Sequence, residues 1–123
     1  MHDYEKNKRK VGNKGEDAAV GFLKENKYKI LDRNYRSKFG EIDIIAGDQK
    51  YTVFVEVRSK NTEFYGNAEE SIVKKKKKRI TLTAMTYIQK NHLENSPVRF
   101  DVVVINPDNS IEIIKNAFDA EFG

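Results

Sequence analysis

The sequence predicts a single α/β domain: a central mixed sheet of about five strands with flanking helices, in the order α-β-β-β-α-β-β. A length of 123 residues suits one core and is short for two. A composition of 38% hydrophobic residues, with seven Phe and six Tyr, is too apolar for a disordered chain. Segments with helical spacing alternate with runs of β-branched residues, which is typical of α/β folds.

The first half of the chain predicts one helix and three strands. Residues 1–11 are polar and basic without periodicity, which predicts a flexible N-terminal arm. Residues 12–26 are a predicted helix because Ala18, Ala19, Phe22 and Leu23 fall on one apolar stripe. Residues 28–36, 41–46 and 51–58 are rich in β-formers, and the last two segments predict an antiparallel hairpin around 47–50.

The second half predicts a loop, a helix and two strands. Residues 59–71 are polar and contain Gly66, which indicates a long loop beside the end of the third strand. The helical pattern resumes from Ile72 to about His92. Residues 98–105 are almost continuously apolar, as in a buried strand, and 111–114 follow a Pro-Asp-Asn turn as a short edge strand. The domain is then expected over 12–118, with a C-terminal tail at 119–123.

Composition excludes several kinds of chemistry. The chain has no Cys, so disulfides, thiol nucleophiles and Cys-ligated zinc are excluded. Two histidines, His2 and His92, argue against a His-rich zinc site or a Ser-His-Asp triad. No apolar run reaches the roughly 18 to 20 residues that span a bilayer, and the first ten residues lack the apolar stretch of a secretory signal. We therefore expect a cytoplasmic protein without a membrane partner.

Six consecutive cations, which we call the basic tract, follow Val73. Six successive helical residues point in all directions, so the apolar stripe from Val73 to Ile80 has to pass Lys76 or Lys77. Either one lysine packs its aliphatic stem against the core and extends its ammonium toward water, or this helical turn protrudes beyond the core. The tract favours nucleic acid as the partner, although a solvated helix end is the alternative. The candidate nucleic-acid contacts are Arg36, Lys60, Lys74, Lys75, Lys76, Lys77, Lys78 and Arg79.

Two acidic residues interrupt the apolar hairpin strands. Side chains alternate across a strand, so Asp43 shares a face with Ile45 and opposes Ile42 and Ile44. An even hairpin loop puts Asp43 opposite or diagonal to Glu56, whereas an odd loop puts them on opposite faces. Neighbouring carboxylates on a half-buried sheet favour a bound cation, and Mg²⁺ or Mn²⁺ is the predicted cofactor. The alternative is a solvated face, where these acids form surface ion pairs with Arg58 and Lys60.

Several short motifs carry a family resemblance. Gly40-Glu-Ile-Asp43-Ile-Ile followed by Val55-Glu56-Val57-Arg58 resembles the PD-(D/E)xK nuclease pattern. Together with Gly15-Glu16-Asp-Ala-Ala19, Asn34-Tyr35-Arg36 and Arg99-Phe100-Asp101-Val102, these motifs make residues 12–118 similar to the YraN family of small bacterial proteins. The resemblance implies a restriction-endonuclease-like fold, similar to that of archaeal Holliday-junction resolvases, which are dimeric Mg²⁺-dependent nucleases. A homodimer is therefore among the expected partners.

The resemblance also implies roles by position. Glu16 corresponds to the helix glutamate of the pattern, Asp43 and Glu56 to the metal carboxylates, and position 58 to the catalytic lysine. Position 58 is Arg58, which stays protonated and can stabilise phosphate but cannot take a proton from water. Lys60 could supply an amine if the third strand continues straight. Without the resemblance, Glu16 in a first helical turn is explained by the helix dipole alone.

Three functional hypotheses follow. The first is a Mg²⁺-dependent endonuclease that acts on branched or structured DNA, with Glu16, Asp43, Glu56 and Arg58 as catalytic residues. The second is a module that binds nucleic acid without cleaving it, which the arginine at position 58 favours. The third is an interaction factor whose basic tract meets an acidic protein. Four aromatic residues near basic residues are either base-stacking candidates or ordinary packing: Tyr35, Phe39, Phe64 and Tyr65.

Overall fold

One five-stranded sheet organises residues 14–123, which are the residues that the computed structural model describes. The elements are α1 (Lys14–Glu25), β1 (Lys29–Ser37), β2 (Gly40–Asp48), β3 (Tyr51–Ser59), α2 (Ala68–Ser71), α3 (Lys74–Lys90), β4 (Val98–Ile105) and β5 (Ile111–Ile114). The strands lie in the order β1-β2-β3-β4-β5, and only β3 and β4 are parallel neighbours. The predicted α/β architecture with a mixed five-stranded sheet and flanking helices is confirmed.

Two predicted boundaries differ from the structure. The predicted loop 59–71 contains a short helix, α2, and the predicted helix 72–92 begins only at Lys74. Ile72 and Val73 are extended, and Ile72 is inserted into the core with 2% of its surface exposed. Burial of that side chain therefore separates α2 from α3, a tertiary effect that the local pattern does not carry. The predicted arm at 1–11 lies outside the described residues. Within residues 14–123, no helix combines the length and apolar character that crossing a membrane needs.

The sheet has a core on each face. One cluster forms around Phe54 and Phe100 and includes Ile80 and Ala84 of α3. The other forms around Val53 and Val103 and includes Ala19 and Leu23 of α1. Each helix buries its apolar stripe by covering one face, so α1 and α3 lie on opposite sides of the sheet.

The hairpin of β2 and β3 has an even loop, which is one of the two alternatives that the sequence left open. Asp48 pairs with Tyr51 across a two-residue turn, and Gln49 in that turn has a positive φ of 56°. Regular pairing runs from that turn to Ile44↔Val55, so Asp43 and Glu56 come next in line on the two strands. Beyond this point the strands separate, and the Val57 N–H donates to the Asp43 carboxylate at 2.8 Å.

The neighbouring pair of strands is irregular at the same level. The pairs Arg33↔Ile44 and Tyr35↔Ile42 flank Asn34, which has a left-handed φ of 52°. The predicted alternation along β2 is wrong at Ile42, because this residue packs with Ile45 and Phe54 and not with Ile44. β1 and β2 stay paired on both sides of Asn34, whereas β2 and β3 part beyond Ile44 and Val55, and we call the gap between β2 and β3 the strand split.

Candidate functional site

Two acidic side chains meet at the strand split. Glu56 is buried, with 6% of its surface exposed, and Asp43 is half-buried. Burial, and after it the charge of Glu56, raises the pKa of Asp43 to about 8, while the hydrogen bond from the Val57 N–H opposes the rise. The interpretation of a solvated face is therefore wrong for Glu56. Its ion pair is with Lys76 and not with Arg58 or Lys60.

Glu16 reaches the same region from the first turn of α1. Its side chain is 7% exposed, and Arg33 donates to Oε1 through Nε and Nη2 at 3.3 and 3.2 Å. Asn34 donates to the other carboxylate oxygen at 3.0 Å. Burial raises the pKa of Glu16 against these hydrogen bonds, and the charge of Glu16 contributes to the raised pKa of Asp43. Glu16 is thus fixed beside the carboxylate pair, a position that the helix dipole alone does not explain.

Lys76 enters the site from α3. Its ammonium Nζ lies 2.6 Å from Glu56 Oε2. Of the two alternatives for the basic tract, the structure shows the inward-turned lysine, because Lys76 and Lys77 are half-buried while the other four members are exposed. The contact between Lys76 and Glu56 was missed by the sequence reasoning. The one available signal was the helical geometry that forces the tract across the apolar stripe.

Arg58 and Lys60 do not line the two clefts that residues 14–123 form around Asp43 and Glu56. The Arg58 side chain is 12% exposed, with Nη1 3.8 Å from Glu63 Oε2 and its guanidinium 5.7 Å from the centre of the Phe64 ring. Its Nε is buried and has no hydrogen-bond partner within residues 14–123. Lys60 follows the end of β3 and forms an isolated bridge with Phe64. The structure therefore brings together Glu16, Asp43 and Glu56, and it turns Arg58 toward the loop after β3.

Two open clefts adjoin at the strand split and share Asp43, Glu56 and Lys76. One, of about 290 Å³, extends along α3 to Arg79. The other, of about 240 Å³, extends to Glu16 and Glu63 near the start of α1. Side chains from opposite faces of the sheet meet here because β2 and β3 have separated. Gly15 supports this approach, since a Cβ at that position would lie 3.0 Å from Ile105 Cδ1.

A third cleft continues along the surface from the first one. It has a volume of about 370 Å³ and is lined by basic and aromatic side chains that include Arg36, Lys38, Phe39 and Arg79. Arg36 is exposed and lies 3.5 Å from Glu41 through Nε. Exposed Lys74, Lys75 and Lys78 complete the outer side of the basic tract. A strip of positive charge therefore borders the carboxylates.

The aromatic candidates divide into two groups. Tyr35 packs edge-on against Tyr87 at 5.2 Å between ring centres, and Phe64 is buried, so both belong to the core. Phe39 and Tyr65 remain at the surface, with 37% and 80% of their area exposed. Stacking on bases therefore stays a prediction for these two residues only.

The donor set at the strand split fits a hard divalent cation. Asp43 and Glu56 supply carboxylate oxygens, and Mg²⁺ is commonly held by one or two carboxylates together with water and substrate phosphate. No three Asp, Glu or His side chains in the described part of the chain are arranged to hold a metal ion together. The fit thus rests on the pair Asp43 and Glu56, and Glu16 is bound to Arg33 and Asn34.

A second buried polar network, which sequence reasoning missed, lies toward the other end of the sheet. Asp101 is fully buried and accepts hydrogen bonds from Arg99, from the Tyr28 hydroxyl and from the Asn116 backbone N–H. Arg99 also donates to Asp48 at 2.8 Å. Burial and the charge of Asp101 raise the pKa of Tyr28, so the hydroxyl stays a donor. This network joins four separate segments and has a structural role.

Comparison with known proteins identifies the family. A profile described as "Uncharacterised protein family UPF0102" matches residues 15–105. The chain belongs to the UPF0102 family. The matched range runs from α1 to the end of β4, so it includes the carboxylate site and the basic tract. The YraN resemblance drawn from the motifs is confirmed at the level of the UPF0102 family.

Relatives of similar length support this assignment. A UPF0102 protein from Persephonella marina is 50% identical over 111 residues, which are 90% of this chain and 95% of that protein. One from Desulfosudis oleivorans is 46% identical over 92% of this chain and 93% of its own length. A third, from Lachnoclostridium phytofermentans, is 48% identical over 93% and 97% respectively. The UPF0102 match thus covers nearly the whole chain.

The raised pKa of Asp43 predicts a dependence of stability on pH. The pKa rises from 3.8 to about 8 on folding, so the folded chain binds more protons than the unfolded chain between these values. The free energy of unfolding without divalent cations is therefore expected to fall as the pH rises from about 5 to about 8. The charged residues that line the two clefts with Asp43 are Glu16, Glu41, Glu56, Glu63, Lys76 and Arg79.

Asp43→Asn should remove this component and be more stable than the native chain at about pH 8, by about 1 to 3 kcal/mol. The asparagine oxygen can still accept from the Val57 N–H, so the backbone contact is kept. Urea unfolding in a chelator at both pH values measures the effect. A native chain that is more stable than Asp43→Asn at about pH 8 would contradict it.

Proposed function

We propose that this chain binds nucleic acid through a restriction-endonuclease-like core and hydrolyses phosphodiester bonds of branched or structured DNA with Mg²⁺ or Mn²⁺. The observation that carries the proposal is the pair of carboxylates at the strand split. Asp43 and Glu56 lie next to each other, Glu56 is buried, and burial penalises the charged form of Asp43. A divalent cation held by the two carboxylates offsets that penalty by balancing the carboxylate charge.

The side chains of the site suit different parts of the reaction. Asp43 and Glu56 are the proposed ligands of Mg²⁺, which when bound stabilises the negative charge that develops on the phosphate. Glu16, held by Arg33 and Asn34, borders the same cleft and limits where a substrate can lie. Arg79 lines the two clefts on the α3 side and is placed to bind a neighbouring phosphate.

The basic strip supplies the proposed binding surface. Exposed cations of α3 adjoin the cleft lined by Arg36, Lys38 and Phe39, so a phosphate backbone that follows them passes the carboxylate pair. Contacts of this kind depend strongly on salt and carry little sequence information. Exposed Phe39 offers a face on which an unpaired base can stack, which favours distorted or branched substrates.

Cleavage assays test the proposal directly. The purified chain is incubated with four-way junctions, flaps and single strands in Mg²⁺ or Mn²⁺, and products are resolved by electrophoresis. Glu56→Gln is expected to lower cleavage by at least about 100-fold, because loss of a ligand should exceed the 10 to 100-fold cost of losing an outer contact. Glu94→Gln, at an exposed glutamate, is the control. Absence of cleavage, or cleavage that Glu56→Gln leaves unchanged, would contradict the proposal.

A binding module without turnover is the second candidate function. The observation that favours it is Arg58, which replaces the lysine of the nuclease pattern and contacts Glu63 and the Phe64 ring. This alternative predicts salt-dependent binding of DNA or RNA that survives Asp43→Asn, together with no cleavage by the native chain. Failure to bind any nucleic acid at low salt would favour an acidic protein partner for the basic tract.

A further inference from the structure

The placement of lysines at the start of α3 is unfavourable for the helix itself. A helix N-terminus favours acidic residues, yet the first turn of α3 has none and Val73 makes no side-chain cap. The lysines therefore have to be explained by the contacts they make. Lys74 Nζ lies 3.8 Å from Glu121, and Lys76 Nζ lies 2.6 Å from Glu56.

Lys76 differs from its neighbours because its charge enters the carboxylate site. Glu56 is 6% exposed, so little water can solvate its carboxylate, and the Lys76 ammonium contacts Oε2 directly. Lys76 also lines both clefts that meet at Asp43. Arg58, the cation that the nuclease pattern places nearest, is directed toward Glu63 and the Phe64 ring. The amine of this site is therefore supplied by α3.

We propose that Lys76 is the resident cation of the site: its ammonium neutralises Glu56 while the carboxylate pair is free of a divalent cation, and it moves from Glu56 to the substrate phosphate when the pair holds one. This inference rests on the proposed function. It assigns to Lys76 of α3 the role that the lysine at position 58 has in the nuclease pattern. Lys76 would then be a catalytic residue, since it touches both a proposed metal ligand and the substrate.

Charge and space allow this exchange. The Lys76 ammonium balances the charge of Glu56 alone, whereas a divalent cation carries enough charge to balance both carboxylates. Lys76 Nζ contacts an oxygen that a divalent cation bound by the pair also needs, so the two cations compete. The Lys76 side chain is 42% exposed and borders a cleft of about 290 Å³ that leads to Arg79. A flexible four-carbon stem can therefore relocate the ammonium along the path proposed for phosphate.

Titration with Mg²⁺ and Mn²⁺ in the absence of nucleic acid tests the competition without any activity measurement. Lys76→Gln is expected to bind each cation about tenfold more tightly than the native chain, because no ammonium has to be displaced. Lys76→Arg keeps the charge and should stay close to the native affinity. Lys90→Gln, at an exposed lysine in the last turn of the same helix, should also match the native chain.

Cleavage at saturating Mg²⁺ tests the second half of the inference. Lys76→Gln is expected to lose about 100-fold in rate, with part of the rate restored in Lys76→Arg. Equal metal affinity in Lys76→Gln and the native chain would overturn the inference while leaving the proposed metal site in place. Tighter binding without any loss of cleavage would overturn the role at the phosphate. If neither chain binds a divalent cation, the metal site of the proposed function fails and this inference fails with it.

Discussion

Asp43→Asn is expected to weaken the binding of Mg²⁺ and Mn²⁺ by at least about 100-fold. The substitution removes one of the two charged ligands and leaves Glu56, which is already paired with Lys76. An amide oxygen is a weaker ligand for a hard cation than a carboxylate is. The fold should be kept, since the new side chain can still accept from the Val57 N–H. Calorimetric titration of the metal-free protein measures the change.

The control for this measurement is Asp119→Asn, which removes the same charge from an exposed position. It should bind both cations as the native chain does. Unfolding curves of both variants separate a loss of metal binding from a loss of structure. If Asp43→Asn bound Mg²⁺ as tightly as the native chain, the carboxylate pair would not be a metal site, and cleavage by this site would have no basis.

Asp101→Ala is expected to lower the free energy of unfolding by about 3 to 5 kcal/mol. The change leaves Arg99, whose side chain is 12% exposed, with Asp48 as its remaining carboxylate partner. It also removes the acceptor for the Tyr28 hydroxyl and for the Asn116 N–H. A loss of this size is a large part of the stability of a typical domain, so the variant should be partly unfolded at moderate urea concentrations.

Urea unfolding at constant pH measures this loss, with Asp119→Ala as a control that should stay within about 0.5 kcal/mol of the native chain. The double variant Arg99→Met with Asp101→Leu separates charge from packing. It removes both members of the buried pair and should recover part of the stability. A loss below about 1 kcal/mol in Asp101→Ala would mean that water replaces the carboxylate and that the network contributes little.

Local patterns were sufficient for much of the fold. Hydrophobic periodicity predicted both long helices, and runs of β-formers predicted all five strands within a few residues. The sequence placed Asp43 near Glu56 on the condition of an even hairpin loop, and the structure has that even loop. Helix geometry singled out Lys76 and Lys77 as the lysines that the apolar stripe passes, and both are half-buried. These features depend on residues that are close together along the chain.

The parts that were missed depend on residues that are far apart along the chain. Ile42 changes its packing cluster where β2 parts from β3 and its pairing with β1 skips Asn34, and strict alternation cannot show that. Glu16 is held by Arg33 and Asn34 of another element, and Glu56 meets Lys76 across the loop after β3. The Arg58 side chain is directed by Glu63 and Phe64. Such contacts need the assembled sheet, and the sequence indicates only the residue types involved.

The position of the two helices on opposite faces of the sheet makes the site a composite of two separately supported halves. Leu23 of α1 packs in the cluster around Val53 and Val103, and Ile80 of α3 packs in the cluster around Phe54 and Phe100. A substitution that loosens the cluster under α1 should displace Glu16 and leave Lys76 in place. A substitution that loosens the cluster under α3 should displace Lys76 and leave Glu16 in place. Core substitutions far from the carboxylates are therefore expected to shift the position of Glu16 or of Lys76 without shifting the other.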